Sequence, residues 1–216
     1  MITRIHVRGF KNLHDVSIRL GPFNCIAGAN GVGKSNLFDA IRFLHLLAQE
    51  PIMDAVQKVR ESRGSPLKPS ELFTSFGDYR ATEMRFTVDM LIAPDAVDDF
   101  GVASKASITS LQYELALECV NEDGMERMRL KHESLNPIPL GKARRSLGFE
   151  TSTEFRKTAV DGRRGVPFIS TSETGEIIIH QEGHGGRKLP TQGSMRTVIS
   201  GSASSEFPTI LAVRRE

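Results

Sequence analysis

The chain has 216 residues, 39% hydrophobic and 25% charged, with a formal net charge of +2. That composition supports one sizeable core or two small ones and excludes disorder throughout, while the net charge is too mild to demand a nucleic-acid or membrane partner. No apolar run approaches the roughly 20 residues of a membrane-spanning helix and no secretory signal opens the chain, so Cys25 and Cys119, both on predicted strands, read as buried reduced thiols of a cytoplasmic protein.

Ile5 and Val7, then Val16, Ile18 and Leu20, alternate at strand spacing, with Gly9 to Asp15 turning between them. The pattern predicts an N-terminal hairpin. Phe23 to Ala27 reads as a short buried strand that runs into Gly28-Ala29-Asn30-Gly31-Val32-Gly33-Lys34-Ser35. Two glycines with four residues between them, followed by lysine and a hydroxyl residue, form the phosphate-loop (Walker A) pattern. A helix is predicted from Asn36 to Gln49, with Leu37, Ala40, Ile41, Leu44 and Ala48 on its core face.

Strand, glycine loop and helix N-terminus together predict a nucleotide-triphosphate site. Gly28, Gly31 and Gly33 let backbone N–H groups converge where a side chain would obstruct them, and the helix adds unpaired amides and the positive end of its dipole. Lys34 supplies a full charge to the β- and γ-phosphates, which makes it the candidate catalytic residue, and Ser35 offers its hydroxyl to magnesium. The expected ligand is ATP with Mg2+, held by Gly28, Ala29, Asn30, Gly31, Val32, Gly33, Lys34, Ser35 and Asn36.

Pro51 should break the helix before a second one carrying Ile52, Ala55, Val56 and Val59, which Gly64 ends. Met84 to Ile92 and Leu111 to Cys119 alternate as half-buried strands, and Asn121-Glu122-Asp123-Gly124 turns the chain into a third, Arg127 to Glu133. From Asn136 to Gly165 the sequence is polar, with Lys142, Arg144, Arg145, Arg156, Lys157, Arg163 and Arg164 among few apolar residues. These cations fit either phosphates of DNA or RNA or a solvated insertion, the latter because Glu150, Glu154 and Asp161 are interspersed. Phe168-Ile169 and Ile177-Ile178-Ile179 read as short strands joined at Ser172-Glu173-Thr174-Gly175; Ser200 to Ser205 reads as loop. Pro208 to Glu216 reads as the start of a helix that stops without a cap, as an excised fragment would.

His180 and His184 are four apart, but they follow a strand and lack the helical geometry of a zinc pair; Gly183-His184-Gly185-Gly186-Arg187-Lys188 reads as a hairpin tip. The organisation predicted is 1–64 for hairpin, phosphate loop and helices, 65–135 for an antiparallel section of the same domain, 136–207 for a basic insertion and 208–216 for a truncated helix.

The stretch Ile5-His6-Val7-Arg8-Gly9-Phe10-Lys11-Asn12-Leu13, with Phe23 to Ala27 and then Gly28 through Ser35 followed by Asn36-Leu37-Phe38-Asp39-Ala40-Ile41, resembles one branch of the ABC-type ATPases. That branch contains RecF, the structural-maintenance-of-chromosomes (SMC) proteins and the OLD ATPases, often catalogued in bacteria as AAA family ATPases. The resemblance covers about the first 48 residues. It implies an α/β P-loop fold of the ABC-ATPase type, with a mixed sheet and an antiparallel β section, present here in incomplete form. It also implies Arg8, Lys11 and Asn12 as contacts to base, ribose or phosphate; the other reading of those three is solvated turn residues.

Hydrolysis in that family further needs an acidic strand ending in Asp-Glu (Walker B) and a serine-glycine signature from the opposite subunit. Arg85 to Asp89, Ile177 to Glu182 and Ser200-Gly201-Ser202 each lack part of those patterns and read as structural. The resemblance thus implies the ATP-binding N-terminal part of a longer ATPase, hydrolysing ATP to ADP and phosphate only as a complete homodimer, in DNA-linked repair or defence. Alternatives from other classes are a nucleotide-sensing regulatory module without turnover and a nucleic-acid-binding module switched by ATP.

Overall fold

A two-stranded hairpin, β1 (Ile2–Phe10) and β2 (Leu13–Arg19), opens the chain, and its reversal is tighter than the predicted Gly9–Asp15 turn. Only Lys11 and Asn12 separate the strands. Gly9 sits at φ +73°, where a Cβ would lie 2.4 Å from the carbonyl oxygen of Glu83, so the backbone there presses directly on the next strand. The computed structural model describes residues 1–59, 67–147, 149–180, 187–190, 194–202 and 204–216, with the backbone alone for 144, 145 and 187–190.

Helix α1 (Lys34–Gln49) follows, and Pro51 separates it from α2 (Ile52–Lys58), as predicted. A 3-10 turn (Pro69–Leu72) leads to a short hairpin, β3 (Ser75–Phe76) with β4 (Tyr79–Arg80), and then to β5 (Glu83–Leu91). A second short hairpin, β6 (Asp95–Val97) with β7 (Ala103–Lys105), precedes the long pair β8 (Ser110–Glu122) and β9 (Met125–Pro137). Helices α3 (Leu140–Ser146) and α4 (Thr153–Ala159) fill the basic stretch; the Ser152 hydroxyl caps α4 by accepting from the Phe155 amide at 3.0 Å. Strands β10 (Ile169–Thr171), β11 (Glu176–Ile179) and β12 (Arg187–Pro190) and helices α5 (Val198–Gly201) and α6 (Pro208–Arg214) complete the order. Part of the predicted Ser200–Ser205 loop therefore belongs to α5.

Among the described residues, eight strands form one sheet in the order β12-β11-β10-β9-β8-β5-β1-β2, and each neighbouring pair is antiparallel. With its helices this is an α/β fold built on a large antiparallel sheet. Period-two alternation sends Ile5, Val7, Met84, Phe86, Val88, Leu115 and Leu117 to one buried face. The other face is laced with polar contacts: Asp89 pairs with Arg4 at 3.2 Å and accepts from Gln112 at 2.8 Å, and Glu83 pairs with Arg85 and Lys131, each at 2.8 Å.

Helix α1 lies on the apolar face. Leu37, Ala40, Phe43 and Leu47 are its buried residues, whereas the predicted core positions Ile41, Leu44 and Ala48 are half-buried. Phe43 stacks on Phe10 with ring centroids 5.8 Å apart, and Phe86 meets Phe10 edge-on at 5.7 Å. Burying each ring is worth about 2–3 kcal/mol, so this trio anchors α1 to β1 and β5.

Phe23 to Ala27 departs from expectation. These residues lie outside every strand and are exposed, Phe23 at 88%. An apolar run becomes a buried strand only where another strand takes its hydrogen bonds; here the Asn24 side chain instead exchanges bonds with the Gly21 amide and carbonyl at 2.9 and 2.8 Å. Cys25 is accordingly an exposed free thiol, while Cys119 is half-buried, and burial pushes its thiol pKa up.

At the far side, Glu133 on β9 is fully buried. Its carboxylate accepts from the Val198 amide at 2.7 Å, the Ile199 amide at 3.2 Å and the Tyr113 hydroxyl at 3.0 Å, tying the start of α5 to the sheet. Burial pushes its pKa up to about 7, with the three donors opposing.

Candidate anion site at the start of α1

Gly33 is the N-cap of α1, at φ +104° and ψ 6°. No side chain caps the amides of the first turn and no acidic residue lies in it, so the positive end of a 16-residue helix faces outward. A left-handed backbone at this point favours glycine. A Cβ on Gly33 would also lie 2.9 Å from Asn12 Oδ1, because the Asn12 side chain fills the space behind it.

The glycine-rich loop before the helix is exposed, and the Lys34 ammonium folds back over it. Lys34 Nζ donates to the carbonyl oxygens of Gly28 and Ala29, each at 2.6 Å. Ser35 is exposed on the first turn, and Asn36 beside it donates through Nδ2 to Asn12 Oδ1 at 2.8 Å. The result is a set of uncapped main-chain donors beside one cation, a donor set that suits a polyanion.

The hairpin residues Lys11 and Asn12 also come to the start of α1. Lys11 Nζ meets Asp39 Oδ2 at 2.7 Å with both side chains largely buried, and Asn12 contacts Gly33 and Asn36. Arg8 is displaced from them: its guanidinium, more than half exposed, lies 3.4 Å from Asp15 on β2. The role of Asp39 as the Lys11 partner was not foreseen, although the resemblance includes both residues.

Other candidates are placed elsewhere. Asp89, weighed as an acidic-strand residue, is held by Arg4 and Gln112 on the charged sheet face. His180 is bonded through Nε2 to Ser170 Oγ at 2.8 Å; burial and then the charge of Arg164 lower its pKa, and His184 and Glu182 lie outside the described residues, as do Gln181 and the glycines of the 183–188 stretch. In the basic stretch, Arg156 is bonded to Thr151 and Thr153, and Arg164 covers the Phe168 ring at 4.3 Å and donates to the His180 carbonyl. Among the described residues no group of three or more His, Cys, Asp or Glu is placed to hold a metal ion, and no helix is long and apolar enough to cross a membrane.

Residues 1–63 match the RecF/RecN/SMC N terminal domain. The DNA replication and repair protein RecF of Porphyromonas gingivalis is 42% identical over 45 residues, 20% of this chain and 12% of RecF. The structural maintenance of chromosomes protein 3 of Dictyostelium discoideum is 54% identical over 44 residues, 18% of this chain and 3% of that protein. A solved chain from work on ATP-driven dimerization and DNA-stimulated activation of SMC ATPases aligns at 18% identity and a TM-score of 0.41, covering 73% of this chain and 88% of its own. The N-terminal segment that carries the candidate site is thus similar to the N-terminal domain of RecF, RecN and SMC proteins, and the match spans at most 12% of these curated relatives.

Proposed function

We propose that the loop and first turn from Gly28 to Asn36 bind ATP with Mg2+, and that the chain is the ATP-binding part of an ABC-type ATPase of the RecF/SMC kind. The observation that carries this reading is the uncapped, acid-free start of α1 with Lys34 folded over the loop carbonyls beside it. Main-chain amides of the loop and helix donate to the phosphate oxygens, and the helix dipole favours their charge. Lys34 then exchanges two neutral carbonyl acceptors for anionic phosphate oxygens, a stronger hydrogen bond. Ser35 is the residue of this chain that would hold magnesium, which would supply positive charge to offset that of the phosphates.

Hydrolysis belongs, in this reading, to a homodimer that brings together groups from two subunits, since phosphoryl transfer depends on positioning and electrostatic stabilisation. The matched relatives include a DNA replication and repair protein, which supports DNA as the macromolecular partner. Calorimetric titration with MgATP and MgAMP tests the core of the proposal: MgATP binds with one site per chain and MgAMP binds far more weakly. Equal affinity for the two would refute polyphosphate recognition by this loop.

A further inference from the structure

Resting on the ATP-binding reading, we propose that Lys11 and Asn12 are positioning residues: they clamp the hairpin turn onto α1 and hold Gly33, Lys34 and Ser35 in register for the phosphates, without touching the nucleotide themselves.

Three independent observations meet at this turn. Lys11 takes a left-handed φ of +48°, uncommon for a residue with a long side chain, and its amide donates to the Leu72 carbonyl at 2.8 Å. From that fixed backbone its ammonium lies over the Phe10 ring, 5.5 Å from the centroid, and reaches Asp39, one turn into α1, at 2.7 Å; only 11% of the Lys11 side chain and 17% of the Asp39 side chain are exposed. A cation so covered, with a carboxylate at contact, is a structural tie; it leaves the more exposed Lys34 as the lysine able to swing to a ligand.

Asn12 works at the other end of the same turn. Its Oδ1 accepts from Asn36 Nδ2, and its amide group lies 2.9–3.0 Å from the position a Gly33 Cβ would take. Gly33 and Asn36 flank Lys34 and Ser35 in the chain. The turn therefore grips α1 at three residues, 33, 36 and 39, and no side chain caps the first-turn amides. Preorganised donors stabilise a polyanion because they need not be ordered on binding.

The clamp and a direct lysine–phosphate contact make opposite predictions for Asp39. If Lys11 acts through Asp39, Lys11→Met and Asp39→Asn each weaken MgATP binding by about tenfold, and the double variant is no weaker than either single, the non-additivity of residues acting as a unit. The exchanged pair K11D/D39K restores affinity, since aspartate tolerates the left-handed turn and the ion pair is re-formed with reversed sense. Asn12→Ala weakens binding to a similar degree and serves where Lys11→Met lowers the melting temperature too far for titration. Asp39→Asn at wild-type affinity, or an exchanged pair weaker than both singles, overturns the clamp and makes Lys11 a direct ligand contact. The two readings fail separately: a wild-type chain that binds no MgATP removes the ATP site itself, whereas wild-type binding with Lys11→Met and Asn12→Ala unchanged removes only the clamp.

Discussion

Lys34 Nζ and the carbonyl oxygen of Gly28 are hydrogen-bonded at 2.6 Å, so the cation proposed to meet the phosphates rests on the loop proposed to receive them. Lys34→Ala should leave the fold intact, because the side chain touches loop carbonyls and no part of the core. MgATP affinity should fall by roughly 100-fold, corresponding to the loss of a charge-assisted bond worth about 1.5–3 kcal/mol. Calorimetry with a parallel thermal melt checks both halves; unchanged affinity would remove Lys34 from the site.

Ser35 is exposed on the first turn of α1 and is the chain's proposed ligand to magnesium. Ser35→Ala should reduce ATP affinity in magnesium to the level measured in EDTA and leave the EDTA value unchanged. A variant equally weakened in both conditions would mean that the hydroxyl binds phosphate directly or supports the helix start.

Gly9 explains why the hairpin can bring Lys11 and Asn12 to α1. Its φ of +73° and the 2.4 Å between an ideal Cβ position and the Glu83 carbonyl oxygen leave no room for a side chain. Gly9→Ala should therefore destabilise the chain by about 2–4 kcal/mol, combining backbone strain with a clash against strand β5. Gly124 shares the left-handed conformation at φ +80° but has nothing within 4 Å, so Gly124→Ala should cost only about 1 kcal/mol. Urea unfolding of the two variants checks the contrast; equal losses would mean that strain alone acts at Gly9.

The hairpin, α1, β5, β8 and β9 were legible because a half-buried strand repeats every two residues and a helix every 3.6, and both periods survive in these segments. The glycine run also marks where α1 begins, two residues before the predicted Asn36, at Lys34. Phe23 to Ala27 was misread because an apolar run records only a tendency to be buried, whereas a strand needs another strand beside it. The β6–β7 hairpin was not foreseen: its turn is closed by the Asp98 carboxylate accepting from the Phe100 and Val102 amides at 3.0 and 2.9 Å, a local bond with no periodic signature. The Lys11–Asp39 pair spans 28 residues, and nothing in spacing links one charge to another across such a distance. Glu133 was read simply as a strand residue, since a buried carboxylate looks the same in sequence as a solvated one.

That buried carboxylate gives a pH dependence of definite sign. The Glu133 pKa rises from its ordinary 4.5 to about 7 on folding, so the native state binds this proton more tightly than the unfolded chain. Its contribution is complete below about pH 4.5 and is lost as pH climbs to about 7, a total on the order of 3 kcal/mol. Two other sets of groups titrate nearby. His132 and His180 have pKa values lowered first by burial and then by Arg85 and Arg164, so they favour the fold as pH rises through their range. Glu126, held low by the Ser70 hydroxyl and amide, and Glu83, where hydrogen bonds from Lys131 and Arg85 outweigh burial, withdraw stability as pH falls below 4.5. Glu133→Gln removes one titration and leaves the others in place, so the difference in unfolding free energy between wild type and variant isolates it. The amide faces three donors with one acceptor oxygen, which should cost about 1–3 kcal/mol near pH 4.5. Between pH 4.5 and 7 the wild-type advantage should shrink, and above 7 the difference should be flat. A difference that grows with pH instead would mean that the Val198, Ile199 and Tyr113 donors outweigh burial and keep Glu133 ionised in the fold.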